Sequence, residues 1–518
     1  MGATQVFAEA GSGAERERFE QLQGQLVHLF RDVLRTPDAP RTVVVVPGLS
    51  LDQDVLARVD GVRYYEERLL SMLMFLRQPN TKVVFVSSEP ISQVIIDYYL
   101  SFLSGVPGEH ARRRLVMLSA HDASPVSLTR KILDRPRLLA RIAAEIRDPA
   151  AAYLSVFNAG PEEVTLATRL GVCMYACDPA LQHWGSKTGS RRAFRRAGID
   201  MPPGVEDLPD LDAACEATAE LAAADPGLRR VVIKANEGFS GEGNAVLDLA
   251  GVGERPTATQ LRQALPGVLR FEAPEMDFEA FDALFRRHRG IVEAWVEGEG
   301  KRTPSVQLRI NPLGEVELLS SHDQVMGGPT GQVFKGSTFP ADPVYATRLH
   351  ELSLAVGAVL RDEGVVGRFA VDFVSVPDGE GFRHHAIEIN LRKGGTTMPF
   401  QMLEFLTNGS YCPESARFAV PTGQQRCYYA SDNVASRHYR RLIPHDLIDV
   451  LVARRLHFDE TRQQGVVFNL IGALSEFGKL GMICIADTPE RAERMFHDTV
   501  AVLDEEARAG VEGLPPQP

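Results

Sequence analysis

Lysine is scarce in this chain. Only eight of its 56 basic residues are lysine, at positions 82, 131, 187, 234, 301, 335, 393 and 479, and the other 48 are arginine. Arginine is a planar fork and lysine a compact, flexible point charge, so a chain this biased keeps lysine mainly where arginine would not serve. Lys187, Lys234, Lys335 and Lys393 fall in chemically suggestive surroundings, with chance placement as the alternative. Cysteine is sparse too. Six in 518 residues make no disulfide framework, and the one close pair, Cys173 and Cys177, sits at the apolar run Val172–Ala176, as buried reduced thiols do. No apolar run reaches the length of about 18 residues that a membrane span needs. Met1–Glu20 lacks the apolar core of a signal peptide. Met1-Gly2 resembles a myristoylation start, but Val6 stands where Ser or Thr is required. A cytoplasmic protein without a membrane partner is expected. Excess positive charge is also missing. A net charge of -12 argues against a nucleic-acid-binding surface, while leaving room for a local basic cleft around a small anion.

What is present reads as a multidomain enzyme. A chain of 518 residues exceeds one core, and 44% apolar with 24% charged residues is ordinary for a soluble globular enzyme. Near-continuous apolar runs at 42–46, 82–86, 114–119 and 152–157 alternate with helical patterns such as Tyr64–Leu76 and Ile91–Leu103. That alternation predicts a parallel sheet covered on both faces, an α/β domain over 1–180. Residues 181–300 are mixed: a basic helix at Ser186–Ala197, a strand at Val231–Ala235, helical patterning over Leu261–Gly290 and a strand at Ile291–Val296. Residues 301–430 carry two hairpins, turning at Pro312-Leu-Gly314 and at Pro377-Asp-Gly379. Residues 431–518 read as a small α+β unit, with strands at Gly465–Ile471 and Met482–Ala486 and a final helix begun by an Asp487/Glu490 capping box.

The second hairpin carries the strongest chemical signal. Val365, Phe369, Val371 and Phe373 alternate with Arg368 and Asp372, and Ile387, Ile389 and Leu391 alternate with Glu388, Asn390 and Arg392. Period-two alternation puts each polar set on one face. A hairpin pivoting near Glu380 sets Asp372 opposite Glu388, with Asn390 beside them. Adjacent carboxylates repel unless a cation or proton intervenes, and an Asp, Glu and Asn oxygen set suits Mg²⁺ with phosphates completing its shell. A solvated hairpin face is the alternative. Lys234 ends the apolar strand Val231-Val-Ile233 and must find an anion. The glycine-rich segment Gly238-Phe-Ser-Gly-Glu-Gly243 follows it directly, so that Gly238, Ser240, Gly241 and Gly243 could offer backbone N–H groups to phosphate. This is neither a Walker A loop nor a nucleophile elbow, and a plain surface turn is the competing reading. Lys187 stands at a helix start, where anions are favoured, or else on a solvated basic face. Glu293-Ala-Trp295-Val296, followed by Glu-Gly-Glu299-Gly, could form an adenine slot with a ribose-binding carboxylate, although a tryptophan is more often core.

The order of these features resembles that of the ATP-grasp ligases: a lysine, a lysine with a glycine-rich loop, Glu-x-aromatic-Val, an Asp, then Glu-x-Asn. The resemblance covers about 180–410. The flanks Val43–Asp52, Tyr65-Glu-Glu-Arg68, Ser87–Ile91 and Asn390-Leu-Arg-Lys-Gly-Gly-Thr-Thr397 look like the pheganomycin-type peptide ligases, and Gly465–Cys484 is similar to their small C-terminal domain. Met398 stands where His is more frequent in that family, which bears on substrate choice. The resemblance implies a Rossmann-like pre-ATP-grasp domain, an ATP-grasp fold and a small α+β C-terminal domain. It implies ATP held by Lys187, Lys234 and the Glu293–Val296 hinge, and two Mg²⁺ ions on Asp372, Glu388 and Asn390. It also implies amide formation through an acyl phosphate, between a small carboxylate substrate and an amine or peptide acceptor, in specialised metabolism. Arg309 and Arg392 are then expected at the transferring phosphoryl group. Lys335, in the loop Gly327–Pro340, and Lys393, Gly394, Gly395, Thr396 and Thr397 are expected at the carboxylate substrate. A small-molecule kinase and a non-catalytic nucleotide-binding module are the competing functions, and a homodimer is one admissible assembly.

Overall fold

The computed structural model describes residues 8–512 other than 52, 58, 239–242, 254, 273–275 and 329–330. Five strands form the first sheet: β1 (Arg41–Val46), β2 (Thr81–Ser87), β3 (Leu115–Ser119), β4 (Ala152–Val156) and β5 (Cys173–Met174). Their order is β3-β2-β1-β4-β5 and every pairing is parallel. The valine run of β1 is buried at every position, as a strand covered on both faces must be. In such a sheet a crevice opens where the strand order reverses, between β1 and β4, and ligands usually fill it. Here protein fills it. Ser50 and Asn158, which follow those strands, bond to each other at 3.0 and 2.8 Å. The Lys393 backbone N–H donates to Phe157 O at 3.2 Å, and its buried ammonium donates to Val156 O.

The second sheet holds β6 (Gly204–Leu208), β7 (Arg230–Ala235), β8 (Asn244–Asp248), β9 (Leu269–Phe271) and β10 (Gly290–Ala294), in the order β6-β10-β7-β8-β9. The stretch with continuous helical patterning resolves into two helices, Ala258–Val268 and Phe278–His288, with β9 after the first. The third sheet is built from β11 (Pro304–Ile310), β12 (Val316–Gly327), β13 (Val333–Phe339), β14 (Gly367–Asp378) and β15 (Gly381–Asn390). After the separate two-stranded sheet of β16 (Ser410–Cys412) and β17 (Arg417–Ala419), it is completed by β18 (Cys427–Ala435), β19 (Gly465–Asn469) and β20 (Lys479–Ala486). Its order is β15-β14-β11-β12-β13-β18-β20-β19. The boundary expected at 430 therefore falls inside β18, a strand bonded to β13 on one side and β20 on the other. That junction needs Gly336, because a Cβ there would lie 2.3 Å from Ala430 O. The expected loop Gly327–Pro340 is also corrected. Its second half is β13, paired with the end of β12. The last helix, Pro489–Glu512, is capped by Thr488 rather than Asp487: the Arg491 N–H donates to Thr488 Oγ1 at 3.3 Å, while Asp487 takes the Arg491 side chain.

The Tyr65-Glu-Glu-Arg68 motif fastens the first sheet's domain to the carboxy-terminal strands. It lies on the long 3₁₀ helix Val62–Arg77. Glu66 accepts from Ser88 N and Ser88 Oγ at 2.7 and 2.6 Å, and Glu67 accepts from Gly472 N at 3.1 Å. Glu67 is buried, and burial pushes its carboxyl up to about 7. A raised carboxyl pKa favours the folded state fully below the unfolded value and loses that contribution as pH climbs through the folded value. Denaturant titrations should therefore show the wild type losing on the order of 3 kcal/mol relative to Glu67→Gln between pH 4.5 and pH 8. Parallel pH profiles for the two proteins would contradict this placement of Glu67.

Candidate active site

The hairpin arithmetic of the sequence is met in the fold. In the β14–β15 register Asp372 lies opposite Glu388 and Ala370 opposite Asn390. The Asn390 Nδ2 group bridges both carboxylates, donating to Asp372 Oδ2 at 2.9 Å and Glu388 Oε1 at 3.1 Å. Ser305, opposite Asp372 on β11, and Gln324 of β12 also donate to the Asp372 carboxylate. Burial still pushes Asp372 above the usual carboxylate range, against those hydrogen bonds.

Lys187 begins the helix Lys187–Ala197, whose N-cap Ser186 accepts from Gly189 N at 3.0 Å. Its ammonium reaches across to Glu388 Oε2. Gly189 permits this placement, since a Cβ there would collide with His183 O at 1.9 Å. Burial, then the neighbouring Lys234, pushes the Lys187 ammonium down to about 7, while Asp372 and Glu293 pull the other way. Lys234 at the end of β7 donates to Glu293 Oε1 of β10 at 2.5 Å, and Arg191 donates to Glu293 Oε2 at 3.1 Å. All three are nearly inaccessible, at 4%, 2% and 2% exposure. An aliphatic residue would not satisfy this triad, because a buried charge must be paired.

The two lysines, Glu293 and the opposed carboxylates line one cavity of about 710 Å³. Its walls include Lys187, Lys234, Gly238, Gly243, Glu293, Trp295, Val296, Lys335, Asp372, Glu388, Asn390, Arg392, Gly394, Gly395 and Thr396. Gly238 and Gly243 close the base of the glycine-rich loop: a Cβ on Gly238 would stand 3.2 Å from Gly243 N. Ser240 and Gly241 lie outside the described residues. The Trp295 ring is flanked by Arg230 at 4.8 Å and Lys301 at 4.3 Å, a cation–π setting. Five of the eight lysines line the cavity, with Lys301 and Lys479 joining Lys187, Lys234 and Lys335.

Four expected residues are not among the cavity-lining residues. Arg309 shares a face with Gln307, as alternation requires, but the 393–397 segment folds over that face. Gln307 donates through Nε2 to Thr396 O at 3.1 Å, and its Oε1 accepts from Thr397 Oγ1 at 3.0 Å. Beyond this cover Arg309 pairs with Glu317, so it does not face the carboxylates. Thr397 is consumed in the same cover and accepts from Gly394 N at 2.9 Å. Lys393 turns into the crevice of the first sheet, where burial pushes its ammonium down to about 7. Glu299 is exposed, and Glu297 pairs with Arg230 outside the hinge. Sequence reasoning passed over Glu272, which is 1% exposed on the cavity wall and accepts from Gln332 N at 3.0 Å. It sits just after β9, inside the stretch whose helical pattern concealed a strand. Asp60, Asp432, Asn433 and Lys479 at the far end were missed as well. They come from segments about 370 residues apart, so no local spacing joins them.

An antiparallel sheet bearing Lys234, with Lys187 at the start of a helix beside it and a hairpin that presents opposed carboxylates across from both, is the arrangement that the ATP-grasp resemblance implies. A family model described as "IQCH-like, ATP-grasp" matches residues 179–270 and 256–412, and one described as the PGM1 C-terminal domain matches residues 446–499. Over residues 179–412 the chain is thus similar to the ATP-grasp family. An L-propargylglycine–L-glutamate ligase from Streptantibioticus cattleyicolor is 28% identical over 473 residues, covering 90% of this chain and 95% of that one. IQ motif-containing protein H of Danio rerio is 23% identical and aligns over 91% of this chain but 49% of its own length. Two solved structures share the fold, each with a TM-score of 0.51. One is an ADP complex of purK, N5-carboxyaminoimidazole ribonucleotide synthetase, at 13% identity, covering 90% of this chain and 98% of that one. The other is a biotin carboxylase–β-γ-ATP complex from Campylobacter jejuni, at 14% identity, covering 87% and 89%.

The buried Lys234–Glu293–Arg191 triad separates structural from surface charge. Glu293→Gln leaves two buried cations short of a carboxylate and should destabilise the fold by about 3 kcal/mol. Glu297→Gln, which removes an exposed pair, should cost less than about 1 kcal/mol. Urea unfolding of both variants checks the contrast, and equal losses would contradict it.

Proposed function

We infer that this protein is an ATP-dependent carboxylate–amine ligase that releases ADP and phosphate. The observation that carries the reading is the pair of opposed carboxylates, Asp372 and Glu388, bridged by Asn390 and faced by Lys187 in a cavity large enough for a nucleotide and its substrates. The ligase named above, similar along nearly the whole chain, supports the same chemistry.

In this reading ATP lies between the second and third sheets. The Glu293–Val296 hinge takes the adenine, with Trp295 at its edge. Lys234 and Lys187 face the phosphates, with Gly238 and Gly243 on the wall beside them. The donor set Asp372, Glu388 and Asn390 fits Mg²⁺: hard oxygen ligands converge, and half a turn of the Asn390 amide presents Oδ1 in place of Nδ2. Bound there, Mg²⁺ supplies charge neutralisation for the phosphoryl oxygens.

A carboxylate oxygen of the first substrate attacks the γ-phosphorus. The P–O bond to ADP breaks and an acyl phosphate forms. The amine nitrogen of the second substrate then adds to the acyl carbon, the C–O bond to phosphate breaks, and the nitrogen gives up a proton as the amide forms. The chain's own residues position these groups and exclude water. Arg392, which follows Asn390 by two residues, shares the cavity wall with the carboxylates. It is the group placed to hold the transferring phosphoryl oxygens or the tetrahedral oxyanion. Arg309 has no such role in this geometry.

The test is amino-acid-dependent ADP release with Mg-ATP, using L-glutamate paired with each of the other common L-amino acids. Mass spectrometry then looks for a product lighter than its two parts by one water. Asp372→Asn and Glu388→Gln should each slow ADP release by about 10²–10³-fold, and chelation of Mg²⁺ should abolish it. ADP release that ignores the added amine would favour a kinase, and no ADP release with any pair would refute catalysis.

A further inference from the structure

The cavity has a second end that the nucleotide reading leaves unused. It is walled by Asp60, Tyr65, Arg68, Asp432, Asn433 and Lys479, from the first sheet's domain and the carboxy-terminal strands. Arg68 is 7% exposed. Its guanidinium lies 3.9 Å from the Tyr65 ring centroid, and Nη2 donates to Asp432 Oδ2. Its Nε–H is buried with no hydrogen-bond partner among the described residues. A buried guanidinium donor without an acceptor is costly unless a ligand supplies one. Lys479 stands beside it, donating to Tyr65 Oη at 2.9 Å and Asp60 O at 3.3 Å, which leaves a third N–H on its ammonium. Met398 lines the adjoining recess together with Arg68 and Asp432.

Arg392 links this end to the carboxylates. It lines the same cavity as Arg68 and Lys479 and as Asp372 and Glu388. An amine that attacks an acyl phosphate near Asp372 must point its nitrogen toward the carboxylates. Any carboxylate carried on the same carbon as that nitrogen would lie on the side of the Arg68 end.

Resting on the ligase reading, we propose that this end is the acceptor subsite, that Arg68 reads the free α-carboxylate of an amino-acid acceptor through its Nε edge, and that Asp432 holds the guanidinium in place. The acceptor is then a single α-amino acid. A peptide, whose first residue carries an amide in place of that carboxylate, would be a poor acceptor.

The experiment uses the full chain with Mg-ATP, L-glutamate and a panel of neutral L-amino acids. Each partner is supplied in turn as the free acid and as its α-carboxamide. Fragmentation of the product identifies which partner gave the amine. For that partner, the wild type should show a kcat/KM at least 100-fold higher for the acid than for the amide. Arg68→Lys keeps a charge but loses the fork. It should raise the acceptor KM at least tenfold, shrink the acid-to-amide ratio below tenfold, and leave the KM for ATP and for the carboxylate donor within twofold. Equal use of acid and amide by the wild type would overturn the subsite, and that measurement depends on no variant folding. A shift in the donor KM or the ATP KM, with the acceptor KM unmoved, would overturn it too. Absence of amino-acid-dependent ADP release from the wild type would instead overturn the ligase reading and the subsite with it.

Discussion

The ion pair between Lys187 and Glu388 organises the site. One partner stands at the first turn of a helix and the other on the hairpin that carries the carboxylates. Neither has its charge fully balanced. Two carboxylates face each other across β14 and β15, and they are met by one lysine, Lys187, and by the neutral donors Asn390, Ser305 and Gln324. The direction of both shifts reports the shortfall: burial pushes the Asp372 carboxyl up and the Lys187 ammonium down. A divalent cation at the carboxylates would take over from Lys187 and free it for a phosphate oxygen. These groups pair with one another, and that pairing holds down the cost of desolvating them.

Much of this was legible because hairpin geometry is rigid. The two-residue turn pairs Asp378 with Gly381 and, continued without a break, would set Asp372 opposite Ile387; a bulge between Asp372 and Phe373 brings Glu388 there instead, the partner that counting out from Glu380 gives. Lysine scarcity was informative for a related reason. A side chain that must meet a phosphate as a mobile point charge resists replacement by arginine. The signal erred at Lys393, whose ammonium bonds to the Val156 carbonyl and the Ser155 hydroxyl at the end of β4. That role also suits a compact cation, and nothing local in the sequence distinguishes a carbonyl partner from a phosphate partner.

What could not be read belongs to long-range packing. Arg309 has the right face of the right strand, yet a cover formed some 85 residues later by Thr396 and Thr397 removes it from the cavity. The continuity of the third sheet into β18, β20 and β19 was equally hidden, since register between distant strands leaves no periodic trace. β6 and β8 are short, and their runs carry charged or polar residues that blur the strand pattern.

The sheet's continuity has a consequence for chemistry. Because β18 is bonded directly to β13, the carboxy-terminal strands cannot swing freely from the hairpin that bears Lys335. Asp432 and Asn433, at the bulged stretch of β18, are therefore held in fixed relation to the cavity wall. Glu67, gripping Gly472 N from the opposite domain, holds Tyr65 and Arg68 against them. A buried guanidinium can discriminate among carboxylate ligands only if its approach angle is fixed, since a fork that rotates binds any anion. Stacking on Tyr65, the bond to Asp432 and the two-domain clamp together supply that fixity. The cavity thus has an adjustable end, where Lys187 can change partners, and a rigid end, where the shape of a second substrate can be read.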